Sequence, residues 1–470
     1  MIYDAIVIGA GPNGLMAAIE LASAGKSVRL CEANPTIGGS ARSAELTLPG
    51  FVHDICSAVH PMAASSTCFA RLPLDRYGLR YVYPPAALAH PFEDGSAIVL
   101  TKSIEETGTS FENDCQAYKE LIAPVAEHWS ELAVDVLGPP RFPRHPLRTA
   151  RFGWSALKPA KSLASAIFRS DRARAVFLGL AAHSGLAMDQ QGTSAFGLIL
   201  AGLAHAIGWP VAACGSQSIS NALGAHLKAL GGEIVTERRI VSLDELPQAK
   251  AILCDLTPRQ LVSIAGNSLP ADFIRKLSSY RYGAGVFKMD WALSQPVPWK
   301  AKECFTSATV HLGSSFSDIL LSERQVIDGL HPERPFTILS QPTLFDPSRA
   351  PGGRHTLWGY CHVPNGSTVD MSERIEKQIE RFAPGFRDCI LARSVMTTAD
   401  LEAHNANLVG GDINGGSAEL SQLLVRPTSM WYSTPRQDLY LCSSSTPPGG
   451  GVHGLCGYHA AQTALRKWPS

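Results

Sequence analysis

A chain of 470 residues is too long for one ordinary hydrophobic core and implies two or three domains. Lys plus Arg and Asp plus Glu balance at 41 each, so no global field directs the protein to nucleic acid or to acidic partners. The 11 cysteines are scattered singly without a C-x-x-C pair, which reads as reduced, mostly buried thiols rather than a disulfide framework or a metal site.

The chain opens on an apolar, β-branched run (Ile2, Ala5, Ile6, Val7, Ile8). It passes through Gly9-Ala10-Gly11-Pro12-Asn13-Gly14 into a helical pattern with Leu15, Ala18, Ile19 and Leu21. Ala24-Gly25-Lys26 stops the helix, and a second strand, Ser27 to Cys31, ends at Glu32. Strand, three glycines, helix, strand and acid form a dinucleotide fingerprint. Gly9 permits the tight turn, Gly11 lets backbone approach a pyrophosphate, Gly14 lets helix pack on strand, and Glu32 accepts from ribose hydroxyls. Asn13 belongs to the same predicted site. With the strand starting just after Met1, no cleavable leader is expected and a cytoplasmic location is predicted.

A second loop follows, Gly38-Gly39-Ser40-Ala41-Arg42. Nicotinamide domains usually enter their next helix here, whereas flavin domains use such a loop to pass the cofactor inward, so these residues favour FAD over NAD. In the turn Gly50 to Ser57, Asp54 is either a partner for Arg42 or an unpaired surface carboxylate. Short strands at Leu79 to Val82 and Ala97 to Leu100 lead into helices from Ser103 to Leu137, and Pro139-Pro140 breaks the chain.

Residues 141–174 hold nine Lys and Arg against the single acid Asp171, interleaved with Phe142, Phe152, Trp154, Leu157, Leu163, Ile167 and Phe168. That composition suits a peripheral membrane contact, or equally a solvated helical excursion whose aromatics pack inward. The uncharged stretch from Gly192 to Cys214 has membrane-spanning length but reads as a buried helix or pocket wall. His183 to Trp209 has the composition of a wall around an apolar ligand, and for His183 and His205 the ordinary reading is a satisfied core imidazole.

A helix from Ile219 to Leu230, strands at Glu233 to Thr236 and Ala251 to Cys254, and Ile240-Val241 beside an adenine edge look like a return to the first domain. Residues 280 to 420 read as an antiparallel sheet with helical inserts. In Gly285 to Leu293, Phe287, Met289 and Trp291 point one way while Lys288 and Asp290 point the other. A last strand, Leu439 to Ser443, leads through Gly449-Gly450-Gly451-Val452-His453-Gly454 into a helix, Tyr458 to Leu465. Gly449, Gly451 and Gly454 repeat the fingerprint spacing, but no second strand and acid follow, so this is not a second dinucleotide site. The turn still aims backbone N–H groups and a helix dipole where a reduced flavin gains negative charge. His453 is read as a helix-capping residue, with contact to flavin or substrate as the alternative.

Taken together, Gly9-x-Gly11-x-x-Gly14 with Glu32, Gly38-Gly39, Gly50-Phe51-x-x-Asp54 and Ser445-Thr446-x-Pro448-Gly449-Gly450-Gly451-Val452-x-Gly454 resemble the phytoene desaturase and carotenoid isomerase group of FAD-dependent oxidoreductases. Gly208-Trp209-Pro210, Val310-His311-Leu312-Gly313, Trp358-Gly359-Tyr360 and Gly410-Gly411-Asp412 look more like the branch called pyridine nucleotide-disulphide oxidoreductase domain-containing proteins. The group often has arginine directly after the paired glycines; here that position is Ser40, with Arg42 two residues on.

The resemblance implies an α/β fold: a Rossmann-like, glutathione reductase-like FAD-binding domain (1–80, 212–270, 421–470) interleaved with a mixed-sheet plus helical substrate domain (81–211, 271–420). The implied activity is hydride transfer between flavin and an apolar, isoprenoid- or lipid-like small molecule. A redox-neutral flavin-dependent isomerase and a non-catalytic flavin-fold binding protein are the alternatives, with an amine oxidase a weaker one. No set of side chains declares itself catalytic, and His453 and His205 are the only candidates.

Overall fold

A computed structural model describes residues 3–468; Met1 and Ile2, where the first strand was expected to begin, lie outside the described residues. Two sheets organise the protein. The first is a five-stranded parallel sheet in the order 439–441, 249–254, 3–8, 28–31, 233–235. Its strands come from three well-separated parts of the chain. Its central strands are mostly apolar because helices cover both faces.

Register in this sheet builds the site. Ile8 sits opposite both Cys31 and Cys254, and Cys254 is opposite Leu441. The residues that follow, Gly9, Glu32, Asp255 and Cys442, therefore emerge together at the carboxyl edge, where open α/β sheets bind ligands.

The second sheet has seven strands in the order 390–396, 285–293, 355–363, 337–340, 307–312, 86–91, 97–101. The antiparallel pattern expected for 280–420 holds for its central strands, but the sheet is not confined to that segment. Strand Ala86–Pro91 joins Ser307–Leu312 in parallel, which makes the sheet mixed. Period-2 alternation divides its longest strand as read: Phe287, Met289, Trp291 and Leu293 pack with Ile375, Ile379 and Phe382 of helix Ser372–Phe382. Lys288 and Asp290 face the other way and are nonetheless buried.

Helices between Ile104 and Ala206 cover the rest of that face, forming one apolar cluster with Trp358 and Tyr360 of the sheet. The uncharged stretch after Gly192 is helix Thr193–Ala206 and then a turn; no helix among the described residues is long and apolar enough to cross a membrane.

Two contacts join the parts. The first helix (Pro12–Ser23) and the last (Leu455–Arg466) cross so closely that a Cβ at Gly457 would overlap the Asn13 carbonyl. Asp54 is the second. It does not pair with Arg42: its Oδ2 accepts from Arg349 Nη2 at 2.5 Å, and its Oδ1 accepts from the Ser43 hydroxyl (2.8 Å) and the Ser216 N–H (2.7 Å). Asp54 and Arg349 are each 1% exposed, so the pair is fully desolvated and ties the nucleotide-side loops to the seven-stranded sheet. Arg42 instead donates to the carbonyls of Gly39 and His404.

Gly457→Ala forces the two helices apart and should lower unfolding free energy by about 1–3 kcal/mol, the usual cost of overpacking, read by denaturant titration. Arg349→Met leaves the Asp54 carboxylate buried without its counter-charge, at a cost of about 3–5 kcal/mol at neutral pH. Burial pushes the Asp54 carboxyl up, but Arg349 and the Ser216 N–H outweigh it and hold the folded value below the ordinary one. Its stabilisation is thus complete above the ordinary carboxylate range and is lost as pH falls through the folded value. The gap between wild type and Arg349→Met should accordingly shrink in acid.

Candidate cofactor and substrate site

One cavity of about 530 Å³ runs from the carboxyl edge of the parallel sheet to the buried face of the seven-stranded sheet. Its outer part is lined by Gly9, Gly11, Asn13, Glu32, Gly39 and Ser40. Ile240 and Val241 join them at the position expected for an adenine edge. Gly451 and Val452, from the closing turn, line the same cavity. The two glycine turns that lead into helices, from opposite ends of the sequence, thus meet at one space. At each, backbone N–H groups at a helix N-terminus face the place where negative charge would sit.

The residues fit a flavin dinucleotide. A Cβ at Gly11 would lie 2.7 Å from Asp255 Oδ2, so only glycine leaves this approach open. Glu32 is buried and held rigid: Oε2 accepts from the Ala10 N–H (2.9 Å), and Oε1 accepts from the Asn34 backbone N–H (2.9 Å) and side-chain amide (3.0 Å). Its remaining acceptor capacity faces the cavity, as ribose hydroxyls require.

Six predicted contacts are not part of the lining: Gly14, whose N–H donates to Asp255, and Gly38, Arg42, Gly449, Gly450 and Gly454. Gly38, whose N–H donates to Ala10 O, shapes the loop behind the cavity. Arg42 is spent on the two carbonyls named above, so it braces the loop rather than meeting a pyrophosphate. Gly449, Gly450 and Gly454 set the path of the closing turn while Gly451 and Val452 face the space.

Neither candidate catalytic histidine lines the cavity. His453 is wholly buried, its Nδ1 accepting from the Leu455 N–H (3.0 Å) at the start of the last helix and its Nε2 lying 3.2 Å from Gly449 O. Burial pulls it down to about 4, so it caps the helix as a neutral imidazole. His205 Nε2 lies 2.6 Å from the Tyr118 hydroxyl, within the helical layer.

Sequence reasoning passed over several residues that build the site. Asp255 Oδ2 accepts from the Gly14 N–H at 3.0 Å, beside the phosphate cradle. Burial, and then the neighbouring Glu32, raise it to about 7 against the pull of the Gly14 and Gly11 N–H groups. The loop at 404–408 clasps this edge: Asn407 Oδ1 accepts from the Thr257 N–H while its Nδ2 donates to Asp255 O, and Asn405 Nδ2 donates to Ser40 Oγ. Buried Arg426 donates to the carbonyls of Asn414 and Ser444, fixing the closing loop. Position after strand Ala249–Cys254 was the one signal for Asp255; the others are long-range contacts.

The inner part of the cavity is lined by His183, Leu200 and Trp209 from the helical layer and by Val286, Lys288, Trp358 and Tyr360 from the sheet. Register places Lys288 opposite Tyr360 and Asp290 opposite Trp358. Lys288 donates to Asp290, whose carboxyl is pushed up to about 6 by burial and restrained by that cation. His183 and His311 share a hydrogen bond between their Nε2 atoms at 3.0 Å, and burial lowers His183 to about 3, leaving it neutral. Cys56 also lines the cavity, but burial raises it to about 11, so it is a thiol rather than a redox-active thiolate, and all 11 cysteines are free.

Asp255 gives a test of the cradle. A pyrophosphate is better tolerated beside a protonated carboxyl, so binding raises the Asp255 pKa further and FAD affinity should fall as pH rises above about 7. Asp255→Asn should flatten that dependence in a fluorescence titration of the apoprotein.

Comparison with known proteins agrees with this geometry. A family model described as an NAD(P)-binding Rossmann-like domain matches residues 7–72. The pyridine nucleotide-disulfide oxidoreductase domain-containing protein 2 of Mus musculus is 27% identical over 560 residues, covering 99% of this chain and 93% of that protein. A carotenoid 3,4-desaturase of Haloarcula japonica is 31% identical over 134 residues, 27% of this chain and 26% of the desaturase. The solved structure of an oxidoreductase from Methanosarcina mazei superposes with a TM-score of 0.67 at 16% identity, covering 99% of this chain and 100% of that one, a likeness of fold. The chain is an FAD-dependent oxidoreductase, similar over nearly its whole length to the pyridine nucleotide-disulfide oxidoreductase domain-containing protein 2 and over 27% of it to a carotenoid desaturase.

Proposed function

We propose that this enzyme transfers a hydride between FAD and an uncharged, predominantly apolar substrate, of lipid or isoprenoid character, held in the inner part of the cavity. The observation that carries the reading is the make-up of that inner wall. Leu200, Val286, Trp209, Trp358 and Tyr360 supply apolar surface, His183 is neutral, and the charged side chain of the inner part is Lys288, while Arg238 and Arg239 line the nucleotide end. The carboxylates in the lining, Glu32 and Asp255, stand at the nucleotide end. An amine would meet a cation and no acid, so this wall speaks for a neutral ligand over an amine.

FAD, when bound, supplies the hydride acceptor or donor, and the protein adds position, dryness and charge. Gly451 and the N-terminus of the last helix offer backbone dipoles to developing negative charge. Trp358, Tyr360 and Trp209 exclude water, and Asp290 holds Lys288 in place through their buried ion pair. His183, oriented by His311, offers a neutral hydrogen-bonding group near Lys288 in a largely apolar chamber, suited to a substrate with a polar end.

The test is anaerobic reduction of the purified yellow protein by candidate substrates. Apolar polyenes or long-chain lipids should bleach the flavin absorbance while diamines do not; bleaching by amines alone would overturn the reading. Leu200→Arg, which puts a second cation into the wall, should slow reduction by at least about tenfold without changing FAD content.

A further inference from the structure

Phe142 and helix Pro146–Ala156 carry the most exposed large apolar side chains of the described residues. Phe142 is 85% exposed, Leu147 86%, Trp154 73% and Leu157, at the helix end, 53%. Positions 147, 150, 154 and 157 lie three to four residues apart, so Leu147, Ala150, Trp154 and Leu157 form one stripe along the outside of the helix. The inner side is also apolar, since Phe152 packs against the cluster of Val125, Trp129, Leu132, Ala133 and Leu203 and Ala156 is buried. A surface helix of a globular protein needs only the inner stripe.

Charge around the outer stripe has one sign. From 139 to 170 the sequence has seven Lys and Arg and no acid, in a chain whose formal net charge is zero. Arg144, Arg151, Lys161 and Arg169 are exposed without an ion-pair partner among the described residues, and Lys158 Nζ stands 5.2 Å over the Trp154 ring. Indole, leucine and phenylalanine ringed by cations is the composition of helices that lie in the interface of an anionic bilayer. A second copy of this chain would place like charges against one another.

We propose that this face docks on an anionic membrane surface, with Phe142, Leu147, Trp154 and Leu157 entering the boundary between headgroups and acyl chains and Arg144, Arg151, Lys158 and Lys161 meeting lipid phosphates. Docking stands independently of the substrate reading, although the two are adjacent. Phe152, on the inner side of the same helix, shares a cluster with Met62, and Met62 lines the cavity.

Co-sedimentation of the FAD-loaded full chain with vesicles tests the assignment. Binding to phosphatidylcholine vesicles containing about one-third phosphatidylglycerol should be at least about tenfold tighter than to phosphatidylcholine alone, and should weaken with salt. The triple variant Phe142→Ser, Leu147→Ser, Trp154→Ser should lose at least about tenfold in affinity while its melting temperature and FAD content stay unchanged, because these side chains are exposed. Arg151→Glu with Lys158→Glu should abolish the preference for the anionic vesicles. Brominated lipid should quench a component of wild-type fluorescence that is missing in Trp154→Phe, a variant that still sediments. Failure of the wild type to bind the anionic vesicles, or equal binding by the triple variant, would overturn the proposal. So would a wild-type dimer, seen by sedimentation velocity, that the triple variant converts to monomer without any vesicle binding.

Discussion

The contact on which the rest depends is the crossing of the first and last helices. Their backbones touch at Gly457 and Asn13, and no side chain larger than hydrogen fits between them. That proximity brings the closing turn beside the opening one, so that Gly451 and Gly11 border a single space. A dinucleotide fold without it would hold the nucleotide but would lack backbone dipoles on its reactive end. The parallel sheet enforces the same convergence from below, since its register aligns the ends of strands from distant parts of the chain along one edge.

Desolvated charge supports this edge from the other side. Asp54 with Arg349 and Lys288 with Asp290 are both buried pairs at the seam between the sheets, and each would be costly if one member were missing. Their value lies in geometry more than in net stability. An apolar seam could slide, whereas a guanidinium on a carboxylate that also accepts from Ser43 and Ser216 has one good arrangement. A cavity that must present a bound cofactor to a featureless apolar substrate needs that fixity, because such a substrate contributes few directional contacts of its own.

Local signals carried much of the fold. The opening fingerprint is readable because strand, turn and helix occupy consecutive residues, and the strand at 285–293 is readable because one face alternates apolar side chains. Strand Ala86–Pro91 escaped notice, being short, alanine-rich and bounded by Pro84-Pro85 and Pro91, and its partner at 307–312 is remote in sequence. The candidate site divides in the same way. Gly9, Gly11, Gly14 and Glu32 follow from spacing, whereas the partner of Asp54 lies 295 residues away and no local pattern announces it. Arg42 shows the opposite error: proximity to a glycine pair suggested a phosphate contact, but two carbonyls had the prior claim on its guanidinium.

The crossing of the terminal helices also orders events during biosynthesis. When the opening fingerprint first leaves the ribosome it can form its own strand, turn and helix, but the parallel sheet still lacks strands 249–254 and 439–441, and the helix that buries its outer face is not yet made. A nascent chain therefore offers a flavin only half a cradle, with apolar surface open beside it. Completion of the cofactor cradle and closure of the domain both wait for the last strand and helix.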